Sequence, residues 1–151
     1  MKILAFALSI IAAPLAADDT LTDWSADRTL VLDAAEVDLT DALWAARPIV
    51  VFGESPNDPQ FLQQMDLLQS GLDDLVERDV LIIVDTDPAA RTDIRLRLRP
   101  RSFMLALIGK DGHLKFRKPL PCNVREISRS IDKMPLRQQE IRDRRLENHA
   151  G

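Results

Sequence analysis

A thiol, two imidazoles, paired acids and clustered arginines are the groups with which this 151-residue chain could do chemistry. The single cysteine, Cys122, stands directly before Asn123 and three residues before Arg125. Asn123 and Glu126 have the spacing of a capping box, so the thiol lies near a helix N-terminus, where a cysteine can become acidic enough for one-cysteine peroxidase or thiol-transfer chemistry. The plainer alternative, a partly buried small apolar residue, is the one we expect. His113 and His149 are accompanied by no Gly-x-Ser-x-Gly elbow and no histidine partner at metal-ligand spacing. Neither serine-type hydrolysis nor a metal site is therefore expected, and no cofactor is implied. Asp85 and Asp87 end an apolar run, where Asp87 before Pro88 reads as a helix cap.

Arginine supplies the strongest charge feature, with five in the eleven residues from Arg91 to Arg101. Their planar forks suit carboxylate or phosphate. Residues 18–90 hold seventeen acids against three bases, whereas residues 91–151 hold seven acids against sixteen bases, so the formal net charge of -4 hides two opposed halves. In one compact fold those halves share a surface, and mutual pairing is the first expectation for them. A dedicated docking face is the sharper one. Its candidate residues are Arg95, Arg97, Arg99 and Arg101, with Lys110, Asp111 and Arg137, facing an acidic protein surface or an anionic envelope component. Nucleic acid is not an expected partner, because the balance is acidic and aromatics are not interleaved with the bases. Five glycines and one cysteine also exclude glycine-loop nucleotide binders and disulfide scaffolds.

The elements that must position these groups can be read from periodicity. Met1-Lys2, an apolar run over Ile3 to Ala13 and the small residues before Asp18 have the form of a signal peptide, residues 1–17. The expected address is periplasmic or secreted, with no second run of membrane-spanning length in the mature chain. Residues 18–37 read as an N-terminal extension, with a possible short edge strand at Thr29 to Leu32, and residues 38–46 as a short helix or turn. Ile49 to Phe52, Val80 to Val84 and Phe103 to Ile108 are continuous apolar runs, as strands buried on both faces require. Asp58-Pro59 opens a helix whose Phe61, Met65, Leu68, Leu72 and Leu75 form one apolar stripe. Residues 89–99 carry both periods: Ile94, Leu96 and Leu98 alternate with arginines as in a strand, while the Asp87-Pro88 cap and Pro100 bound a helix. Helix is the reading taken. Lys110-Asp111-Gly112 is a hairpin turn into a strand at Leu114 to Phe116, and Asn123 to Met134 is a helix followed by a charged helical tail over 136–151.

Strand, helix, strand, helix, strand, hairpin, strand, helix is the order of an α/β fold of the thioredoxin-like type: a central mixed sheet of about four strands with helices on both faces, spanning residues 38–135. A flavodoxin-like fold would need a helical crossover in place of the hairpin at Asp111-Gly112. Redox-active thioredoxin-like proteins carry their thiol just after the first central strand. That segment here is Gly53-Glu54-Ser55-Pro56-Asn57-Asp58, which has no cysteine. Pro100 also lies too early to stand directly before the strand at Phe103. Dithiol exchange at the usual position is excluded by composition.

Trp44, Arg47-Pro48, Phe52, Arg78-Asp79-Val80, the Gly109-Lys110-Asp111-Gly112 turn with Lys115, and the run Ile131-Asp132 to Met134-Pro135-Leu136-Arg137-Gln138 resemble a bacterial family of small exported proteins defined as a domain of unknown function. Related domains occur in animal sushi-repeat-containing and coiled-coil-domain-containing matrix proteins. The resemblance implies a thioredoxin-like, distantly peroxiredoxin-like fold and export, and brings no activity with it. The expectation is a binding or structural module; the alternative is a peroxiredoxin-like thiol enzyme using Cys122.

Overall fold

Each of the three apolar runs becomes a strand, and all but Val84 of their strand residues are buried. The computed structural model describes residues 17–151, so the expected signal peptide lies outside the described residues apart from its last position. Helix α1 (Ala17–Ala26) leads to strand β1 (Val31–Asp33), then β2 (Arg47–Phe52), helices α2 (Pro59–Ser70) and α3 (Leu72–Glu77), and strand β3 (Val80–Asp85). Helix α4 (Asp93–Leu98), the hairpin strands β4 (Met104–Ile108) and β5 (Leu114–Lys118), and helices α5 (Val124–Asp132) and α6 (Pro135–Ala150) complete the chain. The sheet runs β1-β3-β2-β4-β5. β1 and β2 are both parallel to β3, while β4 is antiparallel to β2 and β5 to β4. This is the expected thioredoxin-like arrangement. The tight hairpin between β4 and β5 removes the flavodoxin-like alternative.

All six residues of β2 are buried because both faces of the sheet are covered. On one face Val50, Phe52, Leu81, Ile83, Ala106 and Ile108 pack with Trp24 of α1 and with Ile94 and Leu98 of α4. On the other, Ile49, Val51, Val80, Ile82, Leu105 and Leu107 meet Leu68, Leu75, Ile127 and Ile131 of α2, α3 and α5. Alternation of side chains along a strand divides each run between these two cores.

Two expectations change, in the number of strands and in residues 18–37, and two open readings are resolved. The sheet has five strands rather than about four. Residues 18–37 are no extension, since Val31, Leu32 and Asp33 pair in parallel with Ile82, Ile83 and Val84 and Trp24 is buried in the core. Residues 38–46 form successive turns and no helix. In the ambiguous stretch 89–99 the helical period wins over Asp93–Leu98: Thr92 caps it through the Arg95 amide, Ile94 and Leu98 turn inward, and Leu96 is left exposed. The first turn after Asp87 is instead a separate 3-10 turn, Pro88–Ala90.

The stripe from Phe61 to Leu75 is split into α2 and α3 at Gly71, where the chain passes close to α5. A Cβ added to Gly71 would lie 2.6 Å from Cβ of Val124 and 2.7 Å from both of its γ carbons. Gly71→Ala should therefore lower the unfolding free energy by about 1–3 kcal/mol in urea titrations. Combined with Val124→Ala, it should cost somewhat less than the two single losses added together, because two of the three close contacts are removed while that with the Val124 Cβ at 2.6 Å remains.

Candidate functional site

The N-terminal ends of β2 and β3 meet the β4–β5 turn and the start of α6, and charged side chains collect there. Arg47 opens β2 with its side chain 1% exposed. Its amide donates to the Asp79 carbonyl at 2.8 Å. Its guanidinium donates to the Arg78 carbonyl at 2.9 Å and to both Glu140 carboxylate oxygens, at 3.0 and 3.3 Å. Lys110, from the turn, reaches Asp79 Oδ2 and Glu140 Oε1, each at 2.8 Å. Asp79 also accepts from Arg28, which lies 4.2 Å from the centre of the Trp24 ring. Arg78 forks onto Asp132 with two bonds of 2.9 Å. Arg137 on α6, 2% exposed, donates to Glu77 and lies 3.5 Å from both Asp132 and Glu140.

Burial pushes the Asp79 and Glu140 carboxyls up, but the cations around them win, and both are held below their ordinary values of 3.8 and 4.5. The Arg78 fork likewise lowers Asp132, against a smaller opposing effect of burial. Residues far apart in sequence are thereby locked together as one network. Its carboxylates belong to α3, the residue before β3, α5 and α6.

A cavity of about 330 Å³ opens beside this network, between the turn and the start of α6. Trp44, Met134, Pro135 and Leu136 form its apolar wall; Arg47, Lys110, Lys115 and Asp111 its polar one. Trp44 has a backbone φ of 63°, and its side chain is among the most exposed of the large apolar ones, at 68%. Its amide is held by the Lys110 carbonyl at 2.8 Å. The turn itself is built for close approach. Gly112 takes a φ of 79°, Asp111 accepts from the His113 amide, and Lys115 crosses over Gly109 to bond Asp111 at 2.9 Å.

The arginine run is divided by this geometry. Arg95 turns inward at the opposite end of the sheet, where its Nε and Nη2 bond buried Asp85 at 3.0 and 2.8 Å and Nη2 also reaches the Gly53 carbonyl. Thr92 donates to the other Asp85 oxygen at 2.6 Å. Arg95 is thus an internal ion-pair partner, and Arg137 and Lys110 are likewise paired within the chain. Arg97 is exposed and donates to the Gly112 carbonyl at 2.8 Å. Arg99 caps α4 in the left-handed conformation, and Arg101 follows it; both are exposed, and their guanidinium groups have no partner among the described residues. The seven surface candidates therefore do not form one face. Trp44 and Glu140 were missed as site residues, although Trp44 stood among the residues carrying the family resemblance; nothing in the local pattern singles out Glu140.

Cys122 is buried, and Gln64 clamps its backbone, accepting from the amide at 2.9 Å and donating to the carbonyl at 2.8 Å. Burial and then the neighbouring Glu126 carboxylate push its thiol up to about 11, outweighing Lys118. The direction is opposite to the lowering envisaged from the helix start, because burial first and Glu126 second outweigh the one cation that favours the thiolate. The segment Gly53 to Asp58, where a redox thiol would stand, is occupied by turns and by the Asp58 side chain accepting from the Glu54 and Gln60 amides. Among the described residues no three His, Cys, Asp or Glu side chains come together to hold a metal, and no helix is long and apolar enough to cross a membrane.

Residues 38–140 match the family model described as "Domain of unknown function (DUF4174)". No curated protein is significantly similar to the chain. Among solved structures, thioredoxin peroxidase I of Plasmodium yoelii is similar over 67% of this chain and 79% of its own, at 19% identity and a TM-score of 0.48. An N-terminally modified Prx1a of the same organism gives 67%, 80%, 19% and 0.49. The mitochondrial 2-Cys peroxiredoxin of Plasmodium falciparum gives 64%, 79%, 18% and 0.44.

Two outcomes follow from the site. Carboxylates held below their ordinary values favour the folded state when charged, so their stabilisation is complete above the unfolded values and is lost as pH falls through the folded ones. Unfolding free energy should stay nearly level from about pH 7 to 5 and fall below about pH 4, and Glu140→Gln should reduce the size of that acid-dependent loss. Cys122 in the native chain should react with a thiol reagent at pH 8 far more slowly than in denaturant, the rate rising with pH without a plateau below about 10.

Proposed function

The chain belongs to the DUF4174 family of domains of unknown function, and we propose that it works as an exported binding module whose working site is the cavity beside Trp44. Trp44 is the observation that carries this reading. A bulky residue in the left-handed region costs on the order of 1–3 kcal/mol, and a largely exposed indole recovers little of it by burial. A turn needing only that backbone shape would be served better by glycine or asparagine. The Lys110 carbonyl nevertheless holds the residue in place at the rim of a cavity with both apolar and charged walls. Strain retained at an exposed aromatic is what contact with something outside the chain would account for.

Export is supported by the form of residues 1–17, a charged start followed by an apolar run and small residues. Thiol chemistry gains no support from the surroundings of Cys122, which bury the sulfur and raise its pKa.

Stability and function separate at this residue. Trp44→Gly removes the strain and little buried area, so its unfolding free energy should stay within about 1 kcal/mol of the parent, while Trp24→Ala should lose about 3–5 kcal/mol. A loss of several kcal/mol in Trp44→Gly, measured by urea unfolding, would make Trp44 a packing residue and remove the basis of the proposal.

A further inference from the structure

Given the binding role proposed for the cavity beside Trp44, on which this step rests, we infer that its ligand is a small organic anion with a flat apolar body. Of the charged side chains on its walls, Arg47, Lys110 and Lys115 are cations and Asp111 alone is an acid. The carboxylates that balance Arg47 and Lys110 belong to Glu140 and Asp79, which are not part of the lining. The space therefore sits on the positive side of the network.

The start of α6 has the same sign. Met134 at its N-cap offers no side-chain acceptor, Pro135 has no N–H, and the amides of Leu136 and Arg137 have no hydrogen-bond partner among the described residues. Unfilled donors at a helix start carry partial positive charge. They add to the field of the three cations.

The cations differ in freedom. Arg47 is fixed by four hydrogen bonds counting its backbone, and Lys110 by two carboxylates. Lys115 is 31% exposed and has only the Asp111 contact. A Cβ on Gly109 would come within 2.4 Å of Lys115 Cε, so glycine leaves the stem room to lie along the turn. Lys115 is the cation best able to turn from Asp111 to an incoming anion. Trp44, Met134, Pro135 and Leu136 in the same lining offer aromatic and aliphatic surface to an apolar body. A volume of about 330 Å³ accommodates a molecule of one or two rings. A neutral apolar ligand would desolvate Lys115 with nothing in return, and a cation would meet like charge.

The anionic dye 8-anilinonaphthalene-1-sulfonate and its uncharged counterpart N-phenyl-1-naphthylamine differ in the sulfonate alone, and fluorescence titration of the folded chain with each tests the inference. The sulfonate dye should bind at least about tenfold more tightly than the neutral one, weaken about tenfold or more in Trp44→Gly and about fivefold in Lys115→Gln, and lose part of its affinity in high salt. Leu146→Ala, which trims an exposed apolar side chain on α6, should change nothing. Equal, Trp44-dependent binding of both dyes would overturn the anion preference and leave the binding site standing. Binding of neither dye through Trp44 would overturn both.

Discussion

A buried guanidinium at the first position of the central strand is the constraint from which much of this molecule follows. Arg47 is 1% exposed, and a cation withdrawn from water to that degree must be met by a carboxylate and hydrogen-bond acceptors. Its acceptors are the Arg78 carbonyl, at the end of α3, and Glu140, 93 residues away on the last helix. Glu140 in turn takes Lys110, and Lys110 takes Asp79, which stands in the left-handed conformation just before β3. A charged helix with few buried residues is held against the sheet by this chain of pairs, in which each partner compensates for the desolvation of the next.

The same network explains the charge distribution. The acidic and basic halves do pair across the fold: Asp79 with Lys110, Glu77 with Arg137, Asp85 with Arg95. Arg78 and Arg47, two of the few bases in the acidic half, pair the other way, with Asp132 and Glu140 of the basic half. Buried and half-buried members of such a set fix geometry more than they add stability, and the exposed ones contribute little. What remains unpaired, including Arg99 and Arg101, lies away from the cavity walls.

The two ends of the sheet consequently differ in character. Where β2 and β3 finish, Arg95 bonds Asp85 and the Gly53 carbonyl, and the segment Gly53 to Asp58 holds no thiol. Where they begin, a cavity beside the network is lined by an exposed aromatic together with cations. A thioredoxin-like sheet here frames, at the end where its parallel strands start, the cavity that we propose as the binding site.

The three continuous apolar runs, the Asp58-Pro59 helix start and the Asp111-Gly112 turn determined the central strands, α2 and the hairpin from sequence alone, because strand burial, capping and turn conformation are local demands on residue type. Local pattern also showed that no cysteine stands after the first central strand. It offered a short edge strand at Thr29 to Leu32 but not its partner, since Val31 to Asp33 gain their place from pairing with β3. Nor did it settle residues 89–99, where alternation and helix caps conflict until Ile94 and Leu98 find a core to enter. Only the tertiary structure decided which arginines are spent internally, that Cys122 is buried beside an acid, and that Trp44 meets Lys115 and Pro135 across one cavity. Each depends on distances between residues remote in the chain, and such distances leave no trace in spacing or composition.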